Sequence, residues 1–304
     1  MRQDVKFESE GVELSGWLYT PDSQPPWPIV VMAHGYSATR RRMTADNYAE
    51  VFQARGLAAL LYDHYGFGDS GGEPRLQVNT WRQARGYRDA VSYARELDGV
   101  DPDRIALWGD SLSGASAVAV AGIDERIAAL AVQTPACGSE LPPEDPDGSM
   151  YRAFKETILS GDIDPSPEEV EGSMPVVSDD QVRRPSALTP LTAYRWFIEY
   201  GGHLGSTWVN DVTRARPKTA APWHPGLAAR HISCPSLFVV SPEDEMPGAE
   251  PAVARDAFNK IAGPKEWFEI AGGHFGLVYF PSPEFAAASS AQAHFLAKHL
   301  MRVR

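Results

Sequence analysis

Unbroken apolar runs, each too short to cross a membrane, constrain this chain more than any other feature of it. They stand at residues 28–33 and 57–62, and within the strands read at 104–108 and 128–133, after Arg104 and before Gln133. A strand with one wet face alternates apolar and polar side chains. A run without alternation suits a strand covered on both faces, as in a parallel sheet. Between the runs, residues 44–55, 80–97 and 112–122 read as helices; in the second, Ala84, Tyr87, Val91 and Ala94 recur at helical spacing. Strand and helix in alternation imply right-handed crossovers and a mostly parallel sheet with helices on both faces. Residues 4–8 and 12–20 alternate around Glu10-Gly11 and read as an opening hairpin.

The rhythm then breaks. Residues 138–230 start Pro-rich and acidic, at Leu141-Pro142-Pro143-Glu144-Asp145-Pro146. They turn aromatic later, with Tyr194, Trp196, Phe197, Tyr200, Trp208 and Trp223, and show no strand alternation. The pattern resumes with a strand at 236–241, a helix near 249–261, a strand at 266–270 and a helix near 284–300. The expected architecture is α/β: a core of residues 1–137 and 231–304, with 138–230 inserted between two sheet strands as a cap.

Twenty-eight basic against 40 acidic residues leave a formal charge of −12 in 304 residues. Such a chain repels phosphate backbones and anionic lipid heads, which argues against nucleic-acid and membrane partners. The one tight basic cluster, Arg40-Arg41-Arg42, reads as a solvated approach to a helix. The first residues lack the apolar stretch of a secretory signal, so a cytoplasmic location is expected. Cys137 and Cys234 have no metal-like spacing and are expected to be unpaired buried thiols. A homo-oligomer is left open.

The chemistry gathers at Gly109-Asp110-Ser111-Leu112-Ser113-Gly114, between the strand at 104–108 and a helix rich in small residues. A serine perched on so sharp a turn needs small neighbours two positions either side. Gly109 and Ser113 meet that need. A serine hydroxyl is a weak nucleophile near neutral pH and requires an imidazole held by a carboxylate. Of the downstream histidines, His274 is singled out by its flexible loop, Ala271-Gly272-Gly273-His274, directly after a strand. The acid should follow the strand ending near Val240. Asp244 is the choice there and Glu243 the alternative, with the remaining carboxylates of Glu243-Asp244-Glu245 read as a solvated turn. Two backbone N–H donors, at Leu112 and at Tyr36 in His34-Gly35-Tyr36, would hold the oxyanion. Tyr36, Trp196, Tyr200 and Trp208 are candidates for the substrate pocket, against the simpler reading that cap aromatics pack onto the sheet.

Together these elements resemble the α/β-hydrolase superfamily, over nearly all the chain outside the cap. His34-Gly35 is similar to that family's oxyanion loop. Asp63-His64-Tyr65-Gly66-Phe67-Gly68-Asp69-Ser70-Gly71 resembles its D-x-R-G-x-G-x-S-x-G segment, with Tyr65 where arginine is usual. The Gly-x-Ser-x-Ser-Gly elbow and Gly72-Glu73-Pro74-Arg75 are nearest the dienelactone-hydrolase-like and X-Pro-peptidase-like esterases. The resemblance implies that Asp244 is the acid and His274 the base. It implies structural roles for Asp63 and Asp69, a small-molecule substrate, and no metal or organic cofactor. The expected activity is hydrolysis of a carboxylic ester with a small or medium acyl group, through an acyl-enzyme on Ser111. An amide or peptide, a thioester or the C–C bond of a diketone would suit the same residues. A catalytically silent binding module is the reading from another class.

Overall fold

A computed structural model describes residues 1–301. The chain opens with β1 (Arg2–Ser9), β2 (Val12–Tyr19) and β3 (Trp27–Ala33), followed by α1 (Ala45–Ala54) and β4 (Ala58–Tyr62). Next come β5 (Gln77–Val78), α2 (Thr80–Glu96), β6 (Val100–Asp110), α3 (Ser111–Ala121) and β7 (Ile127–Gln133). The stretch before the sheet resumes holds α4 (Ser149–Leu159), β8 (Val170–Met174), α5 (Leu191–Gly201), β9 (Val212–Ala215) and α6 (Gly226–Ala229). The chain closes with β10 (Ser236–Val240), α7 (Pro251–Lys260), β11 (Lys265–Glu269), α8 (Gly273–Gly276) and α9 (Pro283–Leu300).

Eight strands form one sheet in the order β1-β2-β4-β3-β6-β7-β10-β11. The hairpin β1–β2 and the pair β2–β4 are antiparallel, and every pairing from β4 to β11 is parallel. The apolar runs lack alternation because the sheet has two dry faces. In β3, Ile29, Val31 and Ala33 enter the core shared with α2 and α3, whereas Val30 and Met32 enter the core shared with α1 and α9. A polar chain runs through the second layer. Trp108 Nε1 donates to Gln292 of α9, whose Nε2 donates to Gln133 Oε1 at 2.9 Å. The Gln292 amide is thereby engaged at both ends and fixes α9 beneath β6 and β7.

Residues 138–230 do contain strands. β8 pairs antiparallel with β9, and β9 pairs parallel with β5, giving a second sheet of three strands. These strands run five, four and two residues. That is too short to show a period of two, and β5 lies far off in sequence. The helices of this stretch settle on opposite layers: Phe154 and Ile158 of α4 pack with the α2 side, and Trp196 and Phe197 of α5 with Phe275 on the other. Cys137 and Cys234 are free and buried in separate apolar clusters. Among the described residues no helix is long and apolar enough to cross a membrane.

Candidate active site

β6 ends at Asp110 and α3 begins at Ser111, so the chain reverses within one residue. Ser111 has φ +52°, a left-handed conformation that residues with a Cβ adopt at a cost of order 1–3 kcal/mol. Gly109 makes the bend feasible, since a Cβ there would lie 2.4 Å from the Ser113 carbonyl oxygen. The strain lifts the Ser111 hydroxyl above the carboxyl ends of the parallel strands.

Two more strands of the same sheet bring the partners. His274, on the short α8 after β11, has Nε2 2.8 Å from Ser111 Oγ. Its Nδ1 lies 2.8 and 3.0 Å from the two oxygens of Asp244, just past β10. Both side chains are buried, at 5% and 2% exposure. With Nδ1–H donating to the carboxylate, Nε2 is left with a lone pair facing the serine proton. Ser111, His274 and Asp244 are thus brought together, and Glu243 is not among them.

Glu245, expected to be solvated, is engaged despite its exposure. It accepts the His274 backbone N–H at 2.9 Å, and its other oxygen accepts from the Thr192 hydroxyl at the start of α5. Burial pushes its carboxyl up, but these two donors, with its own backbone amide and the His274 charge adding, outweigh burial and hold it below the usual value. Only the third dimension brings Thr192 to this turn, so the sequence offered no signal for the link.

The loop expected to supply an oxyanion donor lies against the elbow. A Cβ at Gly35 would sit 3.1 Å from Ser111 Cβ, and the Gly35 N–H donates to Asp110 Oδ1 at 3.0 Å. Tyr36 therefore follows a residue packed so near the serine that a side chain there would be crowded. Leu112, at the first turn of α3, has no helical carbonyl four residues back to occupy its amide. Burial pushes Asp110 up to about 6, against the pull of His274 and the Gly35 amide.

Ser113 does more than fit. Its hydroxyl donates to the His34 carbonyl and lies 2.9 Å from His64 Nε2. One hydroxyl proton cannot serve both, so His64 must carry its hydrogen on Nε2. Serine in place of glycine at 113, with a histidine beside Asp63, was the available signal for this contact. It ties the loop of His34, the turn after β4 and the elbow together beneath the site.

These groups set opposed pH responses. Burial, with His64 and Arg40 adding, holds His34 down to about 3, and burial holds His64 down to about 4. As pH falls below 6.5, the unfolded chain protonates histidines that the folded chain keeps neutral, and stability is lost. Burial pushes Asp46, like Asp110, up to about 6. Both take up protons in the folded state that unfolded aspartates do not bind until near pH 4, which favours folding over that window. Relative to the unaltered protein, the double variant Asp46→Asn/Asp110→Asn should lose stability as pH falls from 6 to 4. The loss should reach at most about 1.4 kcal/mol per pH unit for each missing proton. Urea midpoints that run parallel across that range would refute this.

A pocket of about 30 Å³ opens over Ser111 and His274, walled by Tyr36, Trp196, Phe197 and Phe275. Tyr200 and Trp208, expected in such a pocket, lie outside its lining. The Tyr200 hydroxyl accepts the Phe280 N–H at 2.8 Å, and Trp208 rests on Phe197 with its indole N–H donating to Ser37 at 3.2 Å. Both brace the wall instead. Beyond Tyr36 and Leu112 a second cavity of about 550 Å³ is lined by Trp81, Trp223, Arg214 and Arg216.

Residues 10–142 match the family of X-Pro dipeptidyl-peptidases of the S15 type. The quorum-quenching protein AidA of Acinetobacter baumannii (strain MDR-ZJ06) is 34% identical over 254 residues, covering 80% of this chain and 79% of that one. The thiohydrolase aneE of Aspergillus aculeatus is 28% identical over 96% of this chain and 92% of its own. The crystal structure of the α/β-hydrolase GrgF from Penicillium sp. sh18 superposes with a TM-score of 0.73 at 25% identity, covering 99% of this chain and all of that one. The chain belongs to the α/β-hydrolase superfamily and, within it, to the X-Pro dipeptidyl-peptidase-like group of serine hydrolases.

Proposed function

We propose that this enzyme cleaves a carboxylic ester of a small-molecule acyl substrate through an acyl-enzyme on Ser111. The observation that carries the reading is the unbroken chain Asp244–His274–Ser111, with contacts of 2.8 Å on either side of the imidazole. His274 Nε2 takes the serine proton as Oγ attacks the carbonyl carbon. Asp244 steadies the imidazolium that results. The Tyr36 and Leu112 amides receive the oxyanion, and the N-terminus of α3 adds its positive end. Collapse expels the leaving group, which takes the proton from His274. Water, deprotonated by the same nitrogen, then attacks the acyl-enzyme and restores Ser111.

The residues inserted at 138–230 act as the cap that shapes the substrate. Trp196 and Phe197 from this stretch close the small pocket, and Arg214 and Trp223 wall the larger cavity. A thioester is the second reading, favoured by the similarity to a thiohydrolase. Both readings predict covalent labelling at one serine. Incubation with a fluorophosphonate should add a single adduct that peptide mass spectrometry assigns to Ser111, and matched oxygen and sulfur esters should then rank the two bonds by kcat/KM. An adduct elsewhere, or none with turnover intact, would sink the assignment.

A further inference from the structure

The two cavities that meet at Tyr36 differ in size and in chemistry. The smaller, at about 30 Å³, holds little more than a methyl or two waters. The larger, at about 550 Å³, is in the range of whole small-molecule sites. The larger cavity, across Tyr36 and beside Leu112, has the room for a sizeable part of a substrate bonded at Ser111 that the smaller one lacks.

That cavity has apolar and aromatic walls but a cationic end. Arg214 and Arg216 line it, and one carboxylate, Glu171, serves them both at 2.9 and 3.2 Å. One positive charge is left over. Arg214 Nε and the Tyr36 hydroxyl are buried and have no hydrogen-bond partner, although both residues face the same cavity. Buried donors without partners are costly, and a side-chain shift that brought them to the cavity would let a ligand oxygen satisfy them. An acidic protein supplies little long-range attraction for anions, so selection here must come from the local contact.

We propose that the larger cavity receives the carboxylate-bearing part of the substrate, with Arg214 selecting that anion and the Tyr36 hydroxyl donating a second hydrogen bond. This rests on the Ser111 reading and narrows it to acyl substrates that carry an anionic oxygen group on an apolar or aromatic frame. Arg214 acts as a specificity residue and takes no part in bond cleavage.

Two matched pairs of esters test it, because the anion can lie on either side of the scissile bond. The acyl-side pair is the 4-nitrophenyl monoester of glutaric acid against 4-nitrophenyl valerate. The leaving-side pair is 4-carboxyphenyl acetate against 4-methylphenyl acetate. For one pair, the ratio of kcat/KM, anionic over neutral, should fall about ten- to a hundred-fold in Arg214→Met, as expected for loss of a charged hydrogen bond. Arg214→Lys, which keeps the charge but not the fork, should recover part of it. Lys218→Met removes the same charge from an exposed residue outside the lining and should leave the ratio within two-fold. In the unaltered protein, benzoate should compete with 4-nitrophenyl acetate where benzamide does not. Ratios that do not move in either pair, or benzoate and benzamide competing equally, would overturn the proposal. Hydrolysis of the neutral esters surviving Ser111→Ala would instead overturn the reading beneath it.

Discussion

Ser111→Ala should lower kcat on any ester the enzyme turns over by roughly 10^5- to 10^6-fold, with KM nearly unchanged. Under the proposed mechanism the hydroxyl forms the acyl bond, and its removal leaves the imidazole without the serine proton it would take. His274→Ala should cost about as much, because Oγ then loses the imidazole nitrogen that stands 2.8 Å away. The double variant should be no worse than either single one, since residues that act as a unit fail together. Asp244→Asn should cost about 10^4-fold for a different reason. An amide facing Nδ1 can donate as well as accept, which favours the tautomer whose hydrogen sits on Nε2 and blocks the serine proton. Steady-state kinetics on one chromogenic ester would settle all four values. Independent, multiplicative losses for serine and histidine would mean that they do not work on the same proton.

Much of this was legible because the physics is local. The elbow needs a strand, a small residue, a serine and a helix in sequence, and Gly109 to Gly114 spells that order. Sheet strands buried on both faces announce themselves as apolar runs, as β3, β4 and the inner parts of β6 and β7 did. What stayed hidden depends on residues far apart in the chain. β5, β8 and β9 each hold too few residues for a period to emerge, and their pairing joins position 77 to 213 and position 170 to 215. Tyr200 and Trp208 carried the same aromatic signal as Trp196, yet only Trp196 lines the small pocket. Composition identifies a wall of aromatics but not which face of each ring a ligand meets. Charge was misread for a similar reason: in Arg40-Arg41-Arg42, the first arginine is 2% exposed and the third is exposed.

Arg40→Met should therefore destabilise the fold by about 3–5 kcal/mol, the usual cost of leaving a buried charge without its partner. The Arg40 guanidinium donates to Asp63, whose side chain is fully buried, and reaches Asp69 at 2.8 Å. Asp63 also accepts the backbone N–H groups of Arg40 and Asp69, at 2.7 and 3.1 Å. It thus joins the loop after β3 to the turn after β4, where the D-x-R-G-like segment has Tyr65 and no arginine of its own. Burial pushes the Asp63 carboxyl up against the pull of Arg40, so the aspartate stands in a medium that tolerates its charge poorly without the arginine. Arg41→Met removes a more exposed pair with Asp69 and should cost less than about 1 kcal/mol. Asp63→Asn should restore part of what Arg40→Met loses, because it deletes the orphaned charge while keeping an acceptor for one of the two amides. Urea denaturation of the singles and the double closes the cycle. A double variant whose loss equals the sum of the singles would mean that the two side chains do not act on each other, whatever their distance.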